Sequence, residues 1–231
     1  MPDATTTPWP NDGWFSTPGG RSVRLDAATP LHGLDVRHSG HHDKLLAVDL
    51  GAGAAATPVA DRWCRGGDLT IVVEPDDARL LRASVMWRYR PEAGGVDAWE
   101  SVVSAQTSLL DSDATLSVVS ECDAADIVAG GAAGWTRTTG GTLPATATAV
   151  LVRRPTTSVL IAVHPADLRR IDVSIRDSVA RIDCVLFASA IEKGVLLRGR
   201  VLAAVGPHDL DEGWASSLLA AFVASPPPLT T

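Results

Sequence analysis

Ile171-Asp172-Val173-Ser174-Ile175-Arg176 is the stretch whose pattern decides the fold class. In an extended backbone successive side chains leave opposite faces, so Ile171, Val173 and Ile175 line one face while Asp172, Ser174 and Arg176 line the other. Such a stretch is a strand buried on one side, as antiparallel sheets use. A similar alternation returns in Ile182-Asp183-Cys184-Val185-Leu186-Phe187. The intervening Asp177-Ser178-Val179-Ala180 is short enough for a hairpin, which places Ile171, Val173 and Ile175 on one face with Ile182, Cys184 and Leu186.

Working outward, further strands are expected at residues 22–25, 44–50, 68–74, 84–90, 99–110, 115–121, 146–153, 158–164, 170–176, 181–187 and 195–205. Their spacing, punctuated by Gly, Pro and Asp, fits an all-β antiparallel sandwich rather than alternating strands and helices. One amphipathic helix is expected at residues 210–224, with Asp209 as its cap, Glu212 completing a capping box, and Leu210, Trp214, Leu218, Ala221 and Phe222 as its buried stripe. Ser225-Pro226-Pro227-Pro228 ends it. Residues 1–20, with Pro2, Pro8, Pro10 and Pro18, read as an irregular arm pinned by Trp9, Trp14 or Phe15, and residues 21–231 as a single domain. Residues 129–144 are rich in Gly and Thr and read as a long surface loop carrying Trp135 beside Arg137.

Composition narrows the function. The 27 acidic residues outnumber the 20 basic ones, for a net charge of −7, which argues against a phosphate-backbone binder. No nucleic-acid partner is expected. Lys44 and Lys193 are the only lysines, so 18 of the 20 basic residues are arginine, a bias that codon usage explains and that recognition of anions by planar guanidinium groups would also explain. Cys64, Cys122 and Cys184 form no CxxC pair and read as reduced thiols. No run of about 18 apolar residues and no leader pattern occurs, so no membrane partner and a soluble cytoplasmic location are expected.

Several motifs carry chemical options. His38-Ser39-Gly40-His41-His42-Asp43 offers imidazoles and a carboxylate of the kind zinc takes, but equally reads as a polar loop with exposed histidines, and no metal is assigned. His164-Pro165-Ala166-Asp167 follows an apolar strand, where a turn closed by Asp167 or a cleft histidine both fit. Trp63 lies between Arg62 and Arg65, and Trp87 and Tyr89 alternate with Arg88 and Arg90. Aromatic faces next to planar donors suit a sugar or an anion, while the same alternation also describes core aromatics with solvent-facing arginines.

Asp49-Leu50-Gly51-Ala52-Gly53, after an apolar strand and followed by Leu69 to Glu74, resembles the opening of an S-adenosylmethionine-dependent methyltransferase, in which the glycines approach the ligand and Glu74 would take the ribose hydroxyls. Pro58 interrupts the helix that this family places next. Gly67-Asp68-Leu69, residues 103–111, His164-Pro165-Ala166-Asp167-Leu168, Glu192-Lys193-Gly194-Val195 and Ser225-Pro226-Pro227-Pro228-Leu229-Thr230-Thr231 are similar to an uncharacterised bacterial family of strand-rich proteins. A more distant resemblance is to the sugar-binding supersandwich of the aldose-epimerase type. Together these readings favour a non-enzymatic binding or structural module for a carbohydrate or small anion, without a cofactor. Trp135, Arg137, Trp63, Arg65 and Arg88 are the expected ligand contacts, and the rival readings are the methyltransferase and an epimerase-like enzyme.

Overall fold

The turn between the two decisive strands is built from Asp177 (φ 49°) and Ser178 (φ 64°), both left-handed, as a two-residue hairpin of matching twist requires. It fixes the register: Ile171 lies opposite Cys184 and Val173 opposite Ile182, all four buried, and only Ile175 at the tip emerges. A computed structural model of the protein describes residues 9, 13–26, 28–51, 57–75, 81–124 and 126–226.

In chain order the first strands are β1 (Phe15–Ser16), β2 (Ser22–Leu25), β3 (Leu34–His38), β4 (His41–Asp49), β5 (Val59–Arg65) and β6 (Asp68–Val73). Next come β7 (Arg82–Pro91), β8 (Asp97–Gln106), β9 (Asp111–Asp123), β10 (Asp126–Gly131), β11 (Gly134–Arg137) and β12 (Gly141–Thr142). They are followed by β13 (Ala147–Arg153), β14 (Thr157–Val163), β15 (Arg170–Arg176), β16 (Val179–Glu192), β17 (Leu197–Pro207) and helix α1 (Asp211–Ala224). A front sheet of eight strands runs β1-β2-β3-β4-β9-β16-β15-β12, and a back sheet of nine runs β11-β10-β13-β14-β17-β8-β7-β6-β5. The protein is therefore an antiparallel β-sandwich with one C-terminal helix, as the alternation predicts.

The inner faces of both sheets meet in one aliphatic core, from Val23, Leu34 and Ile182 in front to Val85, Ile161 and Val201 behind. Helix α1 adds a third layer, seating Ala215, Leu218, Leu219 and Phe222 on the outward residues Leu151, Leu160 and Leu202 of the back sheet. Being covered on both sides, β14 is buried along its whole length and loses the alternation that half-buried strands show. The back sheet is thus shielded at its centre, while the front sheet presents its outer face to solvent.

Several expectations are corrected. The helix starts at Asp211; Leu210 is left-handed and 89% exposed, and neither it nor Asp209 supplies a side-chain cap. Its buried stripe is Asp211, Ala215, Leu218, Leu219 and Phe222, with Ala221 exposed and Trp214 half-buried, its indole donating to the Pro207 carbonyl at 2.9 Å. The buried acid at its start is held by Arg153 and by the Ser158 hydroxyl, each at 2.8 Å from Asp211 Oδ2. Residues 129–144 are no loop. They hold the β10–β11 hairpin and β12, and Gly130 is required because a Cβ there would sit 2.3 Å from the Trp135 ring. Residues 38–43 are likewise the β3–β4 hairpin, turning at Ser39 (φ 46°) and Gly40 (φ 81°).

The methyltransferase reading also falls. β4 and β6 belong to different sheets and, among the described residues, every neighbour pairs antiparallel and no parallel strand-helix-strand unit presents Asp49, Gly51 and Glu74 to one ligand. Residues 52–56, including Gly53, lie outside the described residues. Of the arm, Trp9 is buried and donates to the Gly67 carbonyl at 2.8 Å, so pinning by an aromatic holds for that residue.

Candidate ligand-binding face

Because Leu45, Val118, Ile182 and Val173 enter the core, alternation sends their neighbours to the outer face of the front sheet. Register then aligns these outward residues in transverse rows. One row is Lys44, Glu121, Arg181 and Ser174; the next is Ala47, Val119, Asp183, Asp172 and Thr142. Strands distant in sequence thus bring basic, acidic and hydroxyl groups onto one surface.

A bulge shapes this surface at β4. The register with β9 shifts between Lys44 and Ala47, and Leu46 takes φ 58°, a left-handed value uncommon outside Gly and Asn. Its amide is satisfied by the Ser120 hydroxyl at 3.1 Å. Against the bulge presses the 3₁₀ turn Pro30–His32, whose exit needs Gly33: φ there is 77°, and a Cβ would lie 2.4 Å from the Leu45 carbonyl oxygen. Asp26 starts this turn by accepting the Ala28 amide at 2.9 Å, a bond that holds its carboxyl below the usual range.

Between turn and sheet lies a cleft of about 400 Å³. Its apolar lining includes Pro30, Leu31, Ala47 and Val119, and its polar lining includes His32, Lys44, Asp49, Glu121 and Arg181. Arg181 donates to Glu121 at 2.8 Å, with about 43% and 42% of the two side chains exposed. An exposed pair of this kind contributes under about 1 kcal/mol, so a ligand can exchange for it at little cost. Further along the face burial works to raise the Asp172 carboxyl, but hydrogen bonds from Thr142 (2.6 Å) and Arg170 (2.7 Å) outweigh it and hold it low.

A second charged cluster is of the opposite kind. Asp43 is wholly buried, with His38 Nε2 at 2.7 Å and the Arg154 guanidinium forked onto it at 3.0 and 2.5 Å. Burial pushes the Asp43 carboxyl up, and the hydrogen bonds from His38 and Arg154 more than reverse this. Since Asp43 belongs to β4 and Arg154 follows β13, the cluster ties the front sheet to the back one. It corrects the expectation of exposed histidines, because His38 is 7% exposed. His41 and His42 turn to Asp123 (3.0 Å) and Asp35 (3.1 Å), so the three imidazoles meet three different carboxylates. Among the described residues no group of three or more His, Cys, Asp or Glu side chains is placed to hold a metal ion. His164 closes a turn, its carbonyl accepting the Asp167 amide at 2.8 Å.

The expected contact residues fall into separate groups on the outer face of the back sheet. Trp135, on β11, lays its ring on Gly130 and donates to the Ser216 hydroxyl of α1 at 2.9 Å, while Arg137 pairs with Asp126 at 3.0 Å. Trp63 is 42% exposed on β5, at the other edge. By register Arg65 lies opposite Asp68, and Arg88 forks onto Asp68 at 2.8 and 2.5 Å. Helix α1 lies between the two groups, so the structure does not bring them into one site. Reasoning from sequence missed Lys44, Glu121 and Arg181. Their signal was an outward charge on strands whose inward pattern was already recognised.

No family model matches the chain, and no curated protein matches it. Among solved structures it resembles one described as a "putative aldose 1-epimerase" from Klebsiella pneumoniae subsp. pneumoniae MGH 78578, at 8% identity and a TM-score of 0.44 over 75% of this chain. The match spans 61% of that structure's length. Among the described residues no helix is long and apolar enough to cross a membrane.

Proposed function

We propose that the protein binds a carbohydrate in the cleft between the Pro30–His32 turn and the outer face of the front sheet. The observation that carries this reading is the combination of an apolar floor with exchangeable charged groups around it, in about 400 Å³. A sugar ring has an apolar face and a rim of hydroxyls, and pockets for small ligands run from about 300 to 1,000 Å³. Lys44 and Arg181 supply donors to ring and hydroxyl oxygens, and Asp49 and Glu121 accept from hydroxyl groups. The bulge at Leu46 and the contact at Gly33 hold these groups in place before a ligand arrives, which lowers the ordering cost of binding.

A thermal-shift panel of neutral and acidic sugars tests this, since a ligand that binds only the folded state raises the melting temperature. A shift that Lys44→Ala and Glu121→Gln abolish supports the cleft. A shift that survives both and disappears in Trp63→Ala supports a second reading, in which Trp63, exposed beside the Arg65, Asp68 and Arg88 row, is the platform. The cleft also holds an imidazole, His32, and two carboxylates, the groups that proton transfer at a sugar ring requires. Polarimetry of the sugars that shift the melting point therefore separates binding from epimerase-like turnover: the binding reading expects the uncatalysed rate.

A further inference from the structure

Two more hollows open beside the cleft on the same face. One, of about 490 Å³, is lined by Glu121, Ser174, Arg176, Val179 and Arg181. The other, of about 460 Å³, includes Thr142, Arg170, Asp172, Ser174, Arg181 and Asp183 in its lining. Arg181 lines all three hollows, Glu121 the first two and Ser174 the last two. They therefore form one trough that crosses β4, β9, β16, β15 and β12 in the order of the sheet. At a strand spacing of about 4.8 Å it runs for about 19 Å, too long for one sugar ring to fill.

Asp183 lines the far hollow and carries, just beneath its surface, an acceptor without a donor. Asp183 Oδ1 is buried and receives no hydrogen bond among the described residues. Its cross-strand partner Asp172 has both oxygens engaged, by Thr142 and Arg170. Like charges directly opposite on neighbouring strands disfavour the sheet, and a buried acceptor left unsatisfied adds to that cost. A hydroxyl brought by a ligand would relieve the second cost.

Building on the carbohydrate reading of the cleft, we propose that Asp183 marks a second subsite and that the occupant is an oligosaccharide laid across the strands. Its first unit occupies the cleft at Lys44, Arg181 contacts the middle of the chain, and a hydroxyl of a distal unit donates to the Asp183 carboxylate, which turns toward the hollow to receive it. Short sugars fill only the cleft, and affinity grows with chain length until the trough is filled.

A printed array of defined glycans, from single sugars to chains of about six units, probed with the full chain and with Asp183→Ala, tests this. Retention that rises with length is expected, and Asp183→Ala should weaken retention of the long chains about tenfold, the loss that follows from one hydrogen bond to a charged group. Equal retention of single sugars and chains, or undiminished retention of long chains by a folded Asp183→Ala, overturns the second subsite while leaving the cleft reading intact. Absence of retention of every glycan by the unaltered chain removes the cleft reading, and the inference with it. Should Asp183→Ala not fold, Ser174→Ala, at an exposed position in the same hollow, carries the same comparison.

Discussion

Replacing Arg154 with methionine removes the cation from a cluster closed to water and leaves the Asp43 carboxylate buried with His38 still beside it but without its guanidinium partner. Asp43 is 0% exposed and Arg154 2%. Arg154 also donates through Nε to the Asp123 carbonyl at 2.7 Å. Truncating one partner of a buried pair costs about 3–5 kcal/mol, because the remaining charge is neither solvated nor neutralised. With a urea slope of about 3 kcal/mol per molar, the unfolding midpoint of Arg154→Met should fall by about 1–1.7 M. Adding Asp43→Leu removes the stranded charge and should recover most of that loss, since apolar replacement of a whole buried pair is often neutral or better. Equilibrium urea unfolding followed by tryptophan fluorescence reads both variants. A midpoint within about 0.3 M of the unaltered protein for Arg154→Met, or a double variant no better than the single one, would refute the claim that this cluster ties the sheets together.

Acid should act through the same carboxylates. Asp43, Asp172 and Asp211 are held below their ordinary values, so their stabilisation is present above about pH 4 and is lost as pH falls through their lower folded values, while Asp167, raised by burial, acts in the opposite sense. The urea midpoint should therefore decline below about pH 4, and a flat profile down to pH 3 would contradict this. Gly33→Ala should lower stability by more than about 1 kcal/mol, because it puts a side chain at φ 77° and 2.4 Å from the Leu45 carbonyl oxygen; unchanged unfolding would show that the turn does not press on the bulge. Of the thiols, Cys64 is exposed while Cys122 and Cys184 are buried and pushed well up by burial. Ellman's reagent should label one thiol rapidly and the others only on unfolding, and rapid labelling of all three would mean that the core is open.

The parts of the fold legible in the sequence were those in which burial on one side leaves a period-two trace. β2 and β15 end where the alternation ends, and the β15–β16 hairpin has the expected facing residues. β5 was missed because it is an edge strand exposed along most of its length, with little apolar signal. β10 and β11 were missed because their glycines were read as loop formers, whereas Gly130 sits within β10 and lets the Trp135 ring approach. The helix was placed correctly but rotated: Leu210 looked like the start of the stripe, whereas it is left-handed and outside the helix. The cleft was the least legible feature. Lys44, Glu121 and Arg181 become neighbours only through the register of β4, β9 and β16, and register across strands distant in sequence leaves no local mark.

Under the proposed function, the outer face of the front sheet is where this protein meets a carbohydrate. Amide chemical-shift mapping tests it most directly: the isotopically labelled full chain is titrated with a glycan retained on the array. Saturable shifts should concentrate at Lys44, Ala47, Val119, Glu121 and Arg181, extending to Asp172 and Asp183 when the glycan is long. Shifts confined to Trp63 or Trp135 on the opposite sheet, with these residues silent, would contradict it.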